Sequence, residues 1–260
     1  VQKQIATALE QADTLRRQCQ QLDAELDALA QAVFFEMFGD PASNPKNWEN
    51  ILFGKLITEL RNGVSPSKSG QLTHRVLTLS AVTRGVFDAN AQKDGTFEYV
   101  PDANKLVNQN DFLICRGNGN RNLVGVGVFP STDFDNVVFP DTVIGAKVDT
   151  TQIEPLYLET FWASEKMRQH IETGARTTNG TYKINQTVIK SAPIMMPPKS
   201  LQESFAKKAK SIADTRKLNQ SRLEQVELNF SSLMHCAFSG ELKLNNSGEP
   251  KPSTDLTLIT

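Results

Sequence analysis

Cysteine is scarce in this chain. The three in 260 residues, Cys19, Cys115 and Cys236, are too few and too scattered for a disulfide framework. None stands in a C-x-x-C spacing, so a cysteine zinc site is not indicated, and the usage points to a reducing compartment. No apolar run reaches the ~18 residues that a membrane helix needs. No apolar stretch behind a basic start marks a signal peptide, so a soluble, cytoplasmic protein is expected. The histidines, His74, His170 and His235, lie far apart without carboxylate or cysteine companions at ligand spacing, and core or surface roles are expected for all three. No G-x-G-x-x-G or G-x-x-x-x-G-K-[ST] loop follows a strand, so neither a dinucleotide fold nor a nucleotide site is indicated. Asp111 and Asp141 fall at strand edges, where carboxylates commonly cap turns. No active site, metal or cofactor is expected.

An excess of charge of either sign is also missing. Lysine and arginine number 28 against 29 aspartates and glutamates. The whole-chain figure averages unlike parts, however. Residues 1–40 carry three basic and seven acidic side chains, residues 199–240 carry seven and four, and residues 41–198 carry sixteen and fifteen. The near-neutral middle is less basic than most autonomous DNA binders, so any contact with DNA there is expected to be weak alone or to need a more basic partner.

What the chain does have is a repeat. Val1-Gln2-Lys3-Gln4-Ile5-Ala6 answers Leu201-Gln202-Glu203-Ser204-Phe205-Ala206, Ala12-Asp13-Thr14 answers Ala213-Asp214-Thr215, and Phe38-Gly39-Asp40 answers Phe238-Ser239-Gly240. In the first copy Ile5, Ala8, Ala12, Leu15, Cys19, Leu22, Leu26, Leu29 and Val33 step by three or four residues. The second copy repeats this with Phe205, Ala209, Ile212, polar Arg216 and Asn219, then Leu223, Val226, Phe230, Leu233 and Ala237. A narrow apolar seam of this period predicts a coiled coil, and the opposite net charges predict that the two helices pair with each other, antiparallel. Thirty-five helical residues span about 50 Å at roughly 1.5 Å per residue. Arg216 and Asn219 either fix the register, pair across a dimer axis, or face solvent at a local irregularity.

Between the helices the pattern becomes β-rich. Residues 53–58, 76–80, 111–115, 124–129 and 143–148 read as strands, and one helix is predicted from Pro155 to Glu172. Pro197-Pro198 cannot continue a helix and marks the entry to the second long one. The expected class is α+β: a β-rich domain over residues 41–198, flanked by two long antiparallel coiled-coil helices at 1–40 and 199–240. The polar stretch 241–260 reads as a mobile tail.

Three loops of the central domain combine glycine with groups that contact phosphates and base edges. They supply Arg61, Asn62 and Lys68, then Arg116, Asn118, Asn120 and Arg121, then Arg176, Asn179 and Lys183. Glycine permits close approach, arginine can reach a guanine bidentately, and asparagine can do the same for adenine. Glycine and asparagine also populate loops as turn formers, so three such loops in one domain carry more weight than any single residue.

The order of the motifs resembles the specificity subunit of type I restriction–modification systems, and in particular one half of it, the C-terminal half. The matching residues are Phe35-Glu36-Met37-Phe38-Gly39-Asp40-Pro41 with Asn44-Pro45 and Trp48, and Lys55-Leu56-Ile57-Thr58 with Asn62-Gly63. They continue with Asn110-Asp111-Phe112-Leu113-Ile114 before Arg116-Gly117, and close from Ile184-Asn185 through Ile194, Pro197-Pro198 and Gln202. The resemblance spans residues 1–244 and implies a non-catalytic DNA reader with one target recognition domain, taking one half of a bipartite target. It implies methyltransferase and restriction subunits as partners that bring the chemistry. A single recognition domain implies either a piece of a longer subunit or a half-length one, for which pairing of two copies is expected to restore two readers. The competing reading is a coiled-coil scaffold whose central domain binds protein. A steep fall of DNA binding with salt separates the two.

Overall fold

The computed structural model describes residues 2–178 and 180–239, without the side chains at 2–5, 8, 178 and 236–239. The expected tail at 241–260 and the candidate Asn179 lie outside the described residues. Residues 34–207 form one compact unit, and the described residues before and after them form a second.

The second unit consists of the outer lengths of two helices, α1 (Gln2–Phe38) and α6 (Lys199–Ser239). Polar contacts fix their direction. Asn219 Nδ2 donates to the Cys19 carbonyl at 2.8 Å, and Arg216 donates to Asp23 at 2.8 and 2.9 Å and to Asp27 at 3.0 Å. Partners on α6 fall in number as those on α1 rise, so the helices run antiparallel. Arg216 and Asn219 therefore neither face solvent nor wait for a dimer axis; both bind α1 of the same chain. The Arg216 hydrogen bonds hold the Asp23 carboxyl below its usual range.

This layer also moves the seam. Cys19 and Leu26 are buried, but Leu22 and Leu29 are 38% and 47% exposed, and half-buried Asp23 and Ala30 take the places expected for them. Steps of three and four fit either row; the arginine selects the row that brings a carboxylate beneath it. Elsewhere on the seam Asn219 and Val226 are buried, and Leu15, Val33, Ile212, Leu223, Phe230 and Leu233 are half-buried. Ile5, Ala8 and Ala237 fall among the side chains not described.

Within the first unit α1 ends as its sequence demands. Gly39, at φ +80°, takes the left-handed conformation that closes a helix, and its amide donates to the Phe35 carbonyl at 2.8 Å. Lys46 Nζ donates to the otherwise unpaired carbonyls of Glu36 and Met37, both at 2.8 Å, and Trp48 Nε1 donates to that of Phe38 at 3.0 Å. Phe34, Phe38, Tyr157 and Phe205 then pack ring against ring with centroids 4.8–5.8 Å apart, joining the ends of both long helices to the domain. Each such ring removes about 150–250 Å² from water, and the buried Tyr157 hydroxyl donates to the Met195 carbonyl at 2.7 Å.

Among the described residues twelve strands follow. β1 (Glu49–Leu52), β2 (Ile57–Asn62), β3 (Leu72–Leu77) and β4 (Gln92–Phe97) come before a short helix or after it: α2 (Ser80–Thr83) separates β3 from β4. β5 (Asp111–Cys115), β6 (Gly117–Asn118), β7 (Gly127–Val128), β8 (Val137–Val138) and β9 (Val143–Val148) lead to α3 (Pro155–Trp162) and α4 (Glu165–Gly174). β10 (Arg176–Thr178), β11 (Thr181–Lys183), α5 (Gln186–Lys190) and β12 (Pro193–Met196) complete the order. The central sheet is antiparallel with order β2-β9-β5-β7; β4-β3-β8, β10-β11-β6 and the pair β1-β12 are separate sheets.

Strands expected at 111–115 and 143–148 form over those residues. The others shift: 53–55 turn as a 3-10 helix and the strand runs 57–62, only 127–128 of the expected 124–129 pair, and 72–77 replaces 76–80. The single helix expected over 155–172 is two, because the Ser164 hydroxyl accepts from the Met167 amide at 3.4 Å and starts a new helix. Phe53, Phe112 and Trp162 fill the space between α3 and the central sheet, with Trp162 5.0 and 5.2 Å from the two phenyl rings. No helix among the described residues is long and apolar enough to cross a membrane.

Candidate nucleic-acid interface

The end of β2, the start of β9, the turn between β5 and β6, and the exit of β11 converge at one edge of the central sheet. Main-chain hydrogen bonds hold them together: Gly63 to Val143 O at 3.0 Å, Arg116 to Thr142 O at 2.8 Å, and Ile184 to Arg116 O at 2.9 Å. A Cβ on Gly63 would stand 2.1 Å from the Pro140 carbonyl oxygen, so only glycine lets the chain pass so close. Side chains complete the frame. Arg116 Nη1 donates to Asp141 O at 3.2 Å, Lys105 Nζ to Asn62 O at 2.8 Å, and Gln186 Nε2 to Asn62 Oδ1 at 3.5 Å. Asn62 and Arg116 are thus brought together, with Lys105 and Gln186 as members that sequence reasoning missed. Neither lies in a glycine-rich loop, which was the signal followed.

From this frame projects the hairpin β10–β11, whose strand β11 also pairs with β6. Arg176 lies directly opposite Lys183 in its register, and both side chains are exposed. Like charges directly opposite each other destabilise a strand pair. Among the described residues neither has an ion-pair partner. A two-stranded ribbon carrying two uncompensated cations has the size and charge to enter the major groove of duplex DNA.

The segment between β6 and β7 is shaped from within. Asn118 Oδ1 accepts from the Asn120 amide at 2.9 Å, and Asn120 Oδ1 accepts from the Asn122 amide at 3.0 Å, capping the 3-10 turn Arg121–Leu123. Both asparagines spend an oxygen on turn formation. Arg168 on α4 grips the same segment, with Nη1 donating to Asn122 O at 3.2 Å and Val124 O at 2.8 Å. Glu172, one turn on, lies 3.3 Å from Arg121 and 3.2 Å from Arg168. Lys68 is exposed between Ser67 and Ser69, whose hydroxyls hold Glu98 at 2.9 and 2.6 Å beyond β4.

One candidate is placed otherwise. Arg61 is 8% exposed and forms a two-armed ion pair with Asp111, which is 1% exposed. It also donates to the Asn104 carbonyl and lies over the Phe139 ring, 5.4 Å from its centroid. Arg61 is therefore a core cation rather than a loop reader, and Asp111 is its counter-ion rather than a turn cap. Burial raises the Asp111 carboxyl, against the pull of Arg61. Cys115 is buried beside the frame, and burial pushes its thiol up to about 11, far from a reactive thiolate. His170 Nε2 lies 2.9 Å from the Val188 carbonyl, a contact between α4 and α5.

No protein-family model matches the sequence. The type I restriction enzyme EcoKI specificity subunit of Escherichia coli K12 is 28% identical over 262 residues, which cover 93% of this chain and 55% of the relative. The StySPI specificity subunit of Salmonella potsdam is 24% identical over 257 residues, with the same coverage of 93% and 55%. The chain thus spans about half the length of the curated relatives it matches. Among solved structures, the HsdS subunit from Thermoanaerobacter tengcongensis matches with a TM-score of 0.55 at 15% identity, over 92% of this chain and 57% of that one. A structure of complex assembly in a type I restriction–modification system matches at 0.61 and 15%, over 92% and 58%. The S subunit from M. genitalium matches at 0.54 and 12%, over 90% and 59%. These likenesses establish a shared fold, and the relatives do not favour a protein-binding scaffold.

Proposed function

We infer that this chain, a homologue of type I restriction enzyme specificity subunits over about half their length, is a non-catalytic reader of one half of a bipartite DNA target. The observation that carries the reading is the Arg176–Lys183 pair. A cross-strand pair of like charges costs the free protein stability, and the cost is relieved when phosphates lie against it. In the duplex the ribbon enters the major groove, Arg116, Asn62 and Gln186 line the edge behind it, and Lys68 reaches backbone further along. Asn118, Asn120 and Asn179 remain candidates for base edges through their amide nitrogens, with Arg121 for phosphate.

The central domain is close to electroneutral, so affinity has to come from assembly. A methyltransferase subunit docks on the paired helices and a restriction subunit joins it; two copies of this chain together present two readers. The assembly works in the cytoplasm, where its DNA is. The decisive measurement is methylome sequencing of cells with and without the intact gene: loss of one bipartite methylated motif is expected, and an unchanged methylome refutes the reading. Light scattering of the purified chain, with and without the methyltransferase subunit, tests the pairing and the docking. A strict monomer that never associates refutes both.

A further inference from the structure

Two guanidinium groups share one carboxylate beside the candidate interface, and they are not equivalent. Arg168 has a 22% exposed side chain and two carbonyl acceptors of its own on the β6–β7 segment. Its Nε and Nη2 are buried without a hydrogen-bond acceptor among the described residues. Arg121 has a 51% exposed side chain, and among the described residues its guanidinium meets Glu172 alone, at 3.3 Å. If one arginine leaves, it is Arg121.

Its departure leaves no orphan. Glu172 keeps Arg168 as counter-ion, with Nε 3.2 Å from Oε1, and the Oε2 that Arg121 gives up becomes available to the Arg168 guanidinium. A phosphate oxygen takes over at the half-exposed Arg121, as an anionic acceptor of the same strong class. Helix α4, which carries Arg168 and Glu172, runs into the hairpin strand β10 after one intervening residue, so the exchange sits between the two segments that face DNA.

We propose that Glu172 holds Arg121 in reserve, out of reach of phosphate, so that Arg121 is released only when close docking of the hairpin and the β6–β7 segment offers a competing anion. Glu172 is then a positioning residue that suppresses binding to DNA of the wrong sequence. This rests on the DNA-reading inference above.

The test uses the full chain assembled with its methyltransferase subunit and a mixed-sequence duplex, with affinity measured across a salt series. Glu172→Gln is expected to tighten binding several-fold at low salt and to steepen the slope of log K against log salt by about 0.9, the increment of one added phosphate contact. Arg121→Ala is then introduced into the Glu172→Gln background. In the double variant the gain should vanish. If tightening persists without Arg121, loss of a negative charge near DNA explains it and the proposal is overturned. Should Glu172→Gln fail to fold, as judged by circular dichroism, Glu172→Asp keeps a charge for Arg168 but cannot span both arginines, and it should tighten binding in the same Arg121-dependent way. Absence of salt-sensitive binding by the wild-type assembly defeats the DNA reading and this proposal together. Wild-type binding with no effect of either Glu172 variant defeats this proposal alone.

Discussion

Arg61 on β2 meets Asp111 on β5 with both arms of its guanidinium, Nη1 to Oδ1 at 3.0 Å and Nη2 to Oδ2 at 2.6 Å, across the intervening strand β9. Removing one member strands the other in a dry site, which costs about 3–5 kcal/mol. Arg61→Ala should therefore lower the urea midpoint sharply. Replacing both residues together, Arg61→Met with Asp111→Leu, should recover most of the loss, and a double variant no more stable than the single one contradicts this account.

The hairpin behaves in the opposite sense. Relief of the repulsion between Arg176 and Lys183 should leave Arg176→Ala unchanged in stability or raise it by about 0.2–1 kcal/mol, the range of a cross-strand pair. The same substitution should weaken binding of the assembled complex to DNA and flatten its salt dependence. A variant that loses stability and keeps its affinity removes the hairpin from the interface.

The displaced seam is tested by contrast. Leu26→Asp places a charge at an 8% exposed position, whereas Leu22→Asp places it where a leucine is already 38% exposed. Thermal unfolding followed by circular dichroism should show a large loss of helix stability for the first and little for the second. Equal losses would restore Leu22 to the contact face.

Asn219 donates to Cys19 O, yet its own Oδ1 is buried without a partner among the described residues. Asn219→Leu should therefore raise the thermal midpoint of the helix pair, at the cost of a less strictly defined register. A lowered midpoint would mean that the hydrogen bond outweighs the buried oxygen.

Glu159 on α3 accepts from the Phe129 amide, and burial pushes its carboxyl from an ordinary 4.5 up to about 7. The folded value exceeds the unfolded one. Its contribution to stability is therefore fully present below about pH 4.5 and is lost as pH rises through about 7. Unfolding titrations at several pH values should show the wild type losing stability across that window relative to Glu159→Gln, and parallel profiles would place the titration elsewhere.

How much of this could be read from the letters depends on what each element answers to. β5 and β9 stand at their expected residues because strands buried on both faces must be continuous apolar runs. β4, Gln92–Phe97, was not expected, since its polar residues and central Gly95 are tolerated at a sheet edge where the backbone of β3 supplies the pairing. Leu22 was placed on the seam because three-and-four spacing admits two neighbouring rows, and the choice between them was made by Arg216 some 190 residues away. A separation of 50 residues hid Arg61 as well: an arginine beside Asn62-Gly63 looks like a loop residue until Asp111 is brought beneath it. Its signal was available in part, because a carboxylate opening the wholly apolar run Phe112-Leu113-Ile114-Cys115 calls for a counter-ion. Arg168 and Glu172 carry no such mark, lying on an ordinary amphipathic helix.

The bonds that bring the end of β2, the β5–β6 turn and the exit of β11 to one edge run from Gly63, Arg116 and Ile184 to carbonyls, amide to oxygen throughout. A peptide group is the same whatever side chain it bears. Apart from Gly63, where space forbids a Cβ, side chains along this edge can be exchanged while the amides keep their partners. In the DNA reader inferred above, such a scaffold would let preference for one sequence drift to another by single substitutions, with neither the folding of the domain nor the placement of its loops held hostage to the change.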